Sequence, residues 1–402
     1  MPSTTVIVGA SVGGVRTAQA LRNAGDTGDV VLLGQEEHAP YDKPPLSKAL
    51  LAGTSGPDDV GLWAAGAAEE AGVDLRCGAR AEHLDVAASE VVLASGERVG
   101  YDDVVIATGA VARPSPWGTP RGVHLLRTLE DAQALRADLV ADTEGGRDAH
   151  LVVVGSGFIG AEVAATARGL GVPVTMVDTV AVPLSRLLGT DVGGLFGDLH
   201  ARHGVTTRFG VGVEGIEGER PALEVRLDDG TVLPASAVVV GIGADPCTGW
   251  LASSGLPIDD GVLCDEHGRV EGTDHVWAVG DVSRWWHPRH EAARRVEHWT
   301  NAVEQARVVA HNITHPDAPR PHAPVEFVWS DQYDWKVQIV GNPAGDPLLV
   351  GDPSTDPRFA ALYGDGNLTG LIAVNWPKAA VNARRGLAKG LRVDDLAATL
   401  RG

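Results

Sequence analysis

The chain has 402 residues, of which 44% are apolar and 21% charged, as in a globular protein of two or three domains. Its net charge of −20 argues against binding to nucleic acid or to an anionic membrane surface. The three cysteines, Cys77, Cys247 and Cys264, are widely spaced. Their spacing excludes a disulfide scaffold, a zinc knuckle and an iron–sulfur site, so we expect no metal.

The sequence also indicates the cellular compartment of the protein. No apolar run reaches the length of a membrane span, and the first predicted strand begins by about Thr4, which leaves no room for a secretory signal. Widely spaced cysteines fit a reducing compartment. We therefore expect a soluble, cytoplasmic protein.

The first glycine-rich stretch covers residues 4–14, where a predicted β-strand runs into a turn and then a helix. Gly9 and Gly14 hold the outer positions of the dinucleotide fingerprint G-x-G-x-x-G, and Ser11 replaces the central glycine. Serine is the smallest polar substitute, so we expect close approach of a phosphate to be strained rather than forbidden. The candidate phosphate-binding residues of this turn are Gly9, Ser11, Gly13 and Gly14.

The residue that would bind the ribose of this first dinucleotide follows the next predicted strand, residues 30–33. An acidic side chain is expected near position 35, but the sequence has glutamine there, followed by Glu36. Either Gln35 binds the ribose through its amide, or Glu36 takes that role.

A second fingerprint, without substitutions, lies in residues 152–162. Three valines lead into G-x-G-x-x-G, and an apolar helix pattern follows, which is the context that dinucleotide binding requires. The helix N-terminus would direct its N–H groups at the phosphates. A glycine-rich turn can also serve packing alone, but here strand, spacing and helix agree. The candidate residues are Gly155, Gly157, Phe158, Ile159 and Gly160.

Asp178 stands at the end of the following strand, eighteen positions after Gly160. A carboxylate there accepts hydrogen bonds from a ribose diol and repels a 2′-phosphate. No arginine follows until Arg186. The second site is therefore predicted to bind NAD(H) rather than NADP(H).

Residues 40–48 read Pro-Tyr-Asp-Lys-Pro-Pro-Leu-Ser-Lys, which by itself is a rigid proline turn with two solvated lysines. After a glycine-rich N-terminus, the pattern Y-D-[RK]-P-P-L-S-K resembles the FAD-dependent ferredoxin reductases of bacterial oxygenase systems, which include the reductases of putidaredoxin, rubredoxin and biphenyl-dioxygenase ferredoxin. Disulfide reductases of the same fold carry a cysteine pair near this point, and this sequence has none. The motif W-S-D-Q-Y at 329–333 extends the resemblance to nearly the whole chain.

The resemblance implies an α/β fold in which an NAD domain is inserted in an FAD domain, both Rossmann-like, with a C-terminal α+β domain. The FAD domain would comprise residues 1–114 and 241–318, the NAD domain residues 115–240, and the third domain residues 319–402. Alternating apolar residues after 325 and helical patterns near 377–388 and 393–400 agree with the last of these.

The resemblance also implies residues at the cofactors. Pro44 and Lys48 would lie against the isoalloxazine ring, with Lys43 where arginine is more usual. Asp281 would bond a ribitol hydroxyl, and Gly280 would offer its N–H. The other implied residues are Ala81, in a hairpin pair under the adenine; Ala107, Thr108 and Gly109, whose bare backbone approaches FAD; Arg113; Arg127; Gly243, on the nicotinamide side; and Glu297, His298 and Trp299. The alternative for Arg127 is a surface arginine that begins a helix, and the alternative for Trp299 is a core aromatic.

Two dinucleotides in one chain imply hydride transfer from NADH to FAD, which can release the two electrons singly. The sequence offers no group of its own to receive them. The acceptor is then a 2Fe–2S ferredoxin that feeds a monooxygenase or dioxygenase, or a small oxidant, as in an NADH oxidase or quinone reductase. A further alternative is an NADH-responsive FAD-binding protein similar to apoptosis-inducing factor.

Lys48 and Glu162 are the candidate catalytic pair, an ion pair at the N5 edge of the flavin by their place in matching motifs. Glu162 lies two residues after Gly160, which predicts a position in the first helical turn. A carboxylate there could equally compensate the helix dipole.

A basic and aromatic stretch, Arg284–Arg295, stands out in an acidic protein. Arg307 and Trp329 match family positions near the face that docks an acidic ferredoxin, and complementary charge steers such encounters. The alternative is a solvated loop with ordinary arginines. The sequence leaves open whether the protein is a monomer or a homodimer.

Overall fold

The computed structural model describes residues 3–144 and 149–402. The contacts of the chain divide it into two compact units. The first unit consists of the chain up to Lys43, Pro57–Val111 and Ala244–Pro324; the second consists of Pro44–Gly56, Ala112–Gly243 and Val325–Gly402. The second unit thus contains the P-P-L-S-K turn, the second fingerprint and the W-S-D-Q-Y motif together. The three domain boundaries drawn from the sequence stay a prediction.

A five-stranded parallel sheet forms the centre of the first unit. The first strand of the chain lies in the middle, which is the strand order of a Rossmann-like fold. Across the sheet the strands are Val276–Ala278, Asp103–Ile106, Thr4–Val8, Asp29–Leu33 and Val73–Arg76. Most of their residues are buried, which explains the β-branched runs in the sequence.

Two helices cover one face of this sheet, and two three-stranded sheets cover the other. The helices are Val12–Asn23 and Trp299–Thr314. The strands on the other face are Ala81–Asp85, Glu90–Leu93 and Arg98–Gly100 in one sheet, and Val262–Cys264, Ser283–His287 and Ala292–Arg295 in another. Shorter helical segments are Pro57–Val60, Ala67–Glu70, Gly249–Leu251 and Gly280–Val282.

The hairpin predicted around Ala81 is present as the paired strands Ala81–Asp85 and Glu90–Leu93, and the structure adds a third strand to it. The third strand, Arg98–Gly100, pairs with Glu90–Leu93 and buries Val99 in the same core as Val91. A strand of three residues with one buried side chain has too little pattern to be recognised in a sequence.

The second unit repeats the architecture of the first. Its parallel sheet runs Val205–Phe209, Val174–Asp178, Leu151–Val154, Ala237–Val240 and Val123–His124. The helices Leu129–Glu144 and Phe158–Gly169 pack on one face. The antiparallel strands Val213–Glu219, Ala222–Leu227 and Val232–Ala235 pack on the other. This repetition confirms the prediction of two Rossmann-like domains, the second inserted within the sequence of the first.

The C-terminal part of the second unit is a five-stranded antiparallel sheet. Its strands lie in the order Phe327–Gln332, Trp335–Gly341, Gly370–Val374, Phe359–Tyr363 and Leu348–Val350. The helices Pro377–Leu387 and Val393–Arg401 cover one face, and the helix Ser185–Arg202 covers the other. The predicted α+β domain is confirmed, with Leu348–Val350 as a strand that the sequence did not indicate.

Four short segments complete the described chain. Ala110–Ala112 and Ala244–Pro246 are strands at the places where the chain passes between units, and Pro44–Ser47 and Ala49–Ala52 are single helical turns. None of the helices in residues 3–144 and 149–402 has both the length and the apolar character needed to cross a membrane.

Candidate functional site

The two glycine-rich turns are built alike. The φ angles of Gly9 and Gly155 are 116° and 105°, in the left-handed region that favours glycine. A Cβ on Gly9 would lie 2.2 Å from the carbonyl oxygen of Ala107, and a Cβ on Gly155 would lie 2.2 Å from that of Gly241. Each turn therefore passes against a neighbouring strand end at a distance that only glycine permits.

The last glycine of each fingerprint sets the approach of the helix. A Cβ on Gly14 would lie 1.9 Å from the oxygen of Gly9, and one on Gly160 would lie 2.1 Å from the oxygen of Gly155. Because these glycines lack side chains, each helix begins directly over its strand. This is the close helix–strand packing that the fingerprint predicts.

The central position of each fingerprint is the N-cap of a twelve-residue helix: Ser11 before Val12–Asn23 and Gly157 before Phe158–Gly169. Neither N-cap makes a side-chain capping bond within the described residues. Their φ angles, −108° and −72°, are ordinary, so the serine causes no backbone strain. No atom would lie within 4 Å of a Cβ on Gly157. An uncapped helix N-terminus beside open space, as at Gly157, fits a bound pyrophosphate.

Asp178 lies at the second turn and is held by it. Its Oδ2 atom accepts hydrogen bonds from the backbone N–H and the hydroxyl of Ser156, each at 2.7 Å, and Oδ1 accepts one from the N–H of Val180 at 3.2 Å. Ser156 is buried. The carboxylate is thus fixed in orientation beside the phosphate-binding turn, which fits its predicted role as a ribose acceptor.

Glu36, one of the two candidate ribose-binding residues in the first unit, is held by hydrogen bonds. Its carboxylate accepts hydrogen bonds from the Tyr41 hydroxyl at 2.5 Å and from Lys43 Nζ at 2.6 Å. The Gln35 side chain is exposed. Lys43 therefore holds the Glu36 carboxylate in place. Binding of the ribose by Glu36 or by Gln35 stays a prediction.

The A-T-G motif ends the strand Asp103–Ile106 and is braced by one other residue. The Thr108 hydroxyl donates to the carbonyl oxygen of Cys247 at 2.9 Å, and the Cys247 N–H donates to the oxygen of Gly109 at 2.9 Å. Ala107 supplies the carbonyl that Gly9 approaches. The motif therefore lies against the first glycine-rich turn, and its contact with FAD stays a prediction.

The late G-D motif is arranged differently from the prediction. The N–H of Gly280 donates to Gln305 Oε1 at 2.9 Å, and Gln305 Nε2 donates to the Ser283 hydroxyl at 2.9 Å. This N–H is already used within the protein, so the prediction that it is offered to a ligand is wrong. Any ribitol contact from this motif rests on Asp281.

Trp299 is the first residue of the helix Trp299–Thr314 and is only half buried. Its indole N–H donates to Asp42 Oδ1 at 2.8 Å, so it connects the Y-D-K-P-P motif to this helix. Its polar bond and partial exposure argue against a core aromatic. His298 is the extended N-cap of the helix, and Glu297 forms an ion pair with Arg295.

Arg113 and Gly243 lie together in the second unit. The Arg113 N–H donates to the oxygen of Gly243 at 3.0 Å, and its guanidinium donates to the oxygen of Ile242 at 3.3 Å. The N–H of Arg127 donates to Asp131 Oδ2 at 2.9 Å, just before the helix Leu129–Glu144. Arg127 thus occupies the helix-start position that the alternative interpretation assigned to it, and its contact with FAD stays a prediction.

The predicted ion pair of Lys48 and Glu162 is present, with Nζ and Oε2 2.5 Å apart. The Ser47 hydroxyl donates to the same oxygen at 2.5 Å, and the Ser330 hydroxyl donates to Oε1 at 2.8 Å. We call Ser47, Lys48, Glu162 and Ser330 the Glu162 cluster. Pro44 begins the helical turn Pro44–Ser47 that carries Ser47 into this cluster.

The expected position of Glu162 in the first helical turn is wrong. The helix begins at Phe158, so Glu162 is its fifth residue, and its carboxylate faces side-chain donors instead of the N-terminal N–H groups. Compensation of the helix dipole is therefore not its role, because that effect falls off within the first turn. The carboxylate is 4% exposed, and burial of a charge requires partners of the kind found here.

The remaining candidate residues are Phe158, Ile159 and Ala81. Phe158 packs against the core of the C-terminal sheet, whereas Ile159 is 47% exposed beside the second turn. Ala81 begins the strand Ala81–Asp85.

The cysteines give no sign of dithiol chemistry. Burial raises the pKa of the Cys77 thiol and raises that of Cys264 to about 12. A thiol with a raised pKa stays protonated at neutral pH and is a poor nucleophile.

The sequence did not indicate four supporting residues: Ser47, Ser156, Gln305 and Ser330. Ser156 is a variable position of the fingerprint, and Gln305 lies in the middle of a helix, so neither has a recognisable signal. Ser330 lies inside the W-S-D-Q-Y motif, which carried the resemblance without indicating a contact.

Comparison with known proteins identifies the family. The model of the pyridine nucleotide-disulphide oxidoreductases matches residues 3–306, and the model of the reductase C-terminal domain matches residues 327–399. The chain belongs to the pyridine nucleotide-disulphide oxidoreductase family and is an oxidoreductase. Within it, the chain falls among the ferredoxin reductases of bacterial oxygenase systems, as its resemblance predicted.

Individual relatives match along nearly their full length. Rhodocoxin reductase of Rhodococcus erythropolis is 35% identical over 388 residues, which cover 95% of this chain and 89% of the relative. The ferredoxin–NAD(+) reductase subunit of the benzene 1,2-dioxygenase system of Pseudomonas putida is 34% identical, with 94% and 90% covered. The crystal structure of the covalent putidaredoxin reductase–putidaredoxin complex contains a chain with a TM-score of 0.91 and 32% identity, with 98% of this chain and 95% of that chain covered.

We expect Asp178→Asn to weaken the preference for NADH over NADPH. The substitution removes the negative charge that repels a 2′-phosphate, and the preference, measured as the ratio of kcat/KM values, should fall roughly tenfold, a change of about 1.4 kcal/mol. Asp198→Asn, at an exposed position of the helix Ser185–Arg202, makes the same change in net charge and should leave the ratio as it is. An unchanged ratio in Asp178→Asn would remove this residue from nucleotide selection.

Proposed function

We propose that this protein oxidises NADH and delivers the electrons one at a time to a 2Fe–2S ferredoxin that serves a monooxygenase or dioxygenase. The observation that carries the proposal is the pair of matching phosphate-binding turns, one in each unit of a chain from the ferredoxin reductase family. The reaction takes place in the cytoplasm, where NADH and reduced iron–sulfur proteins are available.

The first unit holds FAD and the second holds NAD(H). Asp178, fixed at the second turn, supports NAD(H) there, and the A-T-G motif beside Gly9 supports FAD in the first unit. When bound, FAD accepts a hydride from NADH and releases the two electrons singly. The protein contributes binding, orientation and electrostatics.

The relatives argue for a ferredoxin as the acceptor. Among them are the reductase components of benzene and p-cumate dioxygenase systems, and a solved structure holds putidaredoxin reductase in a covalent complex with putidaredoxin. An NADH oxidase, a quinone reductase or a non-catalytic NADH-responsive protein is therefore less favoured.

Lys48 and Glu162 are the residues we assign to the hydride-accepting step. The ammonium group of Lys48 is held by a carboxylate that also binds two hydroxyl groups, so its position is fixed before any ligand arrives. A preorganised charge of this kind stabilises charge that develops during transfer without the cost of reorganisation.

We expect Glu162→Ala to slow reduction of the flavin by NADH while FAD stays bound. Without the carboxylate, Lys48 and the hydroxyls of Ser47 and Ser330 lose their common acceptor, and the stopped-flow reduction rate should fall roughly 10- to 100-fold, or about 1.4 to 2.7 kcal/mol. The flavin content should persist because the phosphate-binding turn of the first unit is untouched.

Glu219→Ala is the matched control, since Glu219 is exposed on an antiparallel strand of the same unit. Glu162→Gln preserves shape while it removes the charge, and should also slow reduction. Reduction rates equal to that of the parent protein in both Glu162 variants would exclude the pair from the reaction.

The ferredoxin is proposed to dock near the strands Ser283–His287 and Ala292–Arg295 and near Arg307. Trp286 is 46% exposed, and Arg294 and Arg307 are exposed. These side chains offer positive charge and an aromatic contact in a protein with a net charge of −20. Trp329, half buried on the strand Phe327–Gln332, is the further residue that the resemblance implies at the docking face.

The basic stretch is less charged than its sequence predicts. Arg284 pairs with Asp259 at 2.5 Å, and Arg295 pairs with Asp260 at 3.0 Å and also with Glu297. Trp285 is fully buried and donates to the oxygen of His322. The docking proposal therefore rests on Arg294, Arg307 and Trp286 more than on the whole stretch.

We expect ferredoxin reduction to slow as ionic strength rises, because salt screens the attraction between Arg294, Arg307 and an acidic partner. At low salt, Arg294→Glu combined with Arg307→Glu should lower the second-order rate constant roughly tenfold. Arg401→Glu, at the exposed C-terminal end, changes the charge elsewhere and should have little effect. A rate constant that does not change between low and high salt would contradict electrostatic docking.

A further inference from the structure

We infer that Ser330 is a positioning residue that sets the direction of the Lys48 ammonium group through Glu162, with Gln332 orienting the Ser330 hydroxyl. The inference deepens the proposed function and rests on the role given there to Lys48 and Glu162. It assigns a function to the W-S-D-Q motif of the C-terminal sheet.

Four side chains form one hydrogen-bonded chain within the second unit. Gln332 Nε2 lies 3.2 Å from Ser330 Oγ, Ser330 Oγ lies 2.8 Å from Glu162 Oε1, and Glu162 Oε2 lies 2.5 Å from Lys48 Nζ. Ser330 and Gln332 are fully buried, and Glu162 is 4% exposed. Water therefore has little access to replace these bonds.

The direction of each bond follows from the groups involved. A carboxylate can only accept, so the single hydroxyl hydrogen of Ser330 is donated to Glu162. The Ser330 oxygen is then left to accept, and the amide nitrogen of Gln332 supplies the donor. Ser330 and Gln332 are two positions apart on the strand Phe327–Gln332, so both side chains leave it on the same face.

The two oxygens of Glu162 have separate tasks. Oε1 binds Ser330, whereas Oε2 binds both Ser47 and Lys48. Rotation about the terminal bond of a glutamate side chain is soft, so a carboxylate held through one oxygen alone can turn. The bond from Ser330 fixes the plane of the carboxylate, and this fixed plane determines where Oε2 holds Lys48.

The test compares three variants of the FAD-loaded protein: Ser330→Ala, Gln332→Leu and Thr166→Val. Thr166 is the matched control, because its hydroxyl donates to the backbone oxygen of Ser47 at 2.7 Å and so anchors the same turn without touching Glu162 or Lys48. The first readout is the rate at which an amine-reactive reagent labels Lys48, measured by peptide mass spectrometry relative to the exposed Lys378. The second readout is the stopped-flow rate of flavin reduction by NADH.

In Ser330→Ala we expect Lys48 to be labelled roughly fivefold faster, the ratio that corresponds to one hydrogen bond of ordinary net strength. Flavin reduction should slow by a similar factor at saturating NADH, with the apparent Kd for NADH unchanged. Gln332→Leu should change both quantities in the same direction by less, and Thr166→Val should change neither.

Unchanged labelling of Lys48 in Ser330→Ala would overturn the inference, and so would an equal increase in Thr166→Val, which would mean that the turn had loosened as a whole. Unchanged labelling of Lys48 in Gln332→Leu would exclude Gln332 from the positioning of Lys48. Faster labelling in Ser330→Ala with an unchanged rate of flavin reduction would support the positioning of Lys48 by Ser330. The unchanged reduction rate would contradict the role proposed for Lys48 and Glu162 in flavin reduction.

Discussion

A buried carboxylate must find hydrogen-bond donors, and that constraint on Glu162 organises the second unit. The donors come from Ser47 and Lys48, which lie 115 and 114 positions earlier in the sequence, and from Ser330, which lies 168 positions later. The P-P-L-S-K turn, the helix after the second fingerprint and the first strand of the C-terminal sheet are thereby held at one point. Loss of Lys48, the cation of this cluster, would leave the Glu162 charge buried without an ion-pair partner, which is far more costly than loss of an exposed ion pair.

The dinucleotide sites are built from the backbone rather than from side-chain hydrogen bonds. Gly9 and Gly155 have no side chain where a Cβ would meet a carbonyl oxygen, and the helices that follow begin without side-chain caps. Because the phosphate partners are N–H groups, the substitution of Ser11 for glycine leaves the construction intact. The same construction is thus present twice, and we propose that the side chains around it, such as Asp178 at the second turn, distinguish one cofactor from the other.

Much of this fold could be predicted because its signals are local. The fingerprints, the apolar strands and the P-P-L-S-K turn each occupy a short stretch of sequence, and a family resemblance pointed to Lys48 and Glu162. The parts that could not be predicted depend on long-range contacts. The donation of Ser330 to Glu162, the capture of the Gly280 N–H by Gln305 and the neutralisation of Arg284 by Asp259 all join residues that no spacing rule connects.

The most direct test of the account is a stopped-flow experiment in which the FAD-loaded protein is mixed with NADH or with NADPH, and then with a 2Fe–2S ferredoxin under anaerobic conditions. The account predicts that NADH bleaches the flavin much faster than NADPH does, and that the ferredoxin is then reduced in one-electron steps, two molecules for each NADH consumed. Fast bleaching without transfer to any ferredoxin, but with rapid reoxidation by oxygen or a quinone, would contradict it and would indicate an oxidase or a quinone reductase.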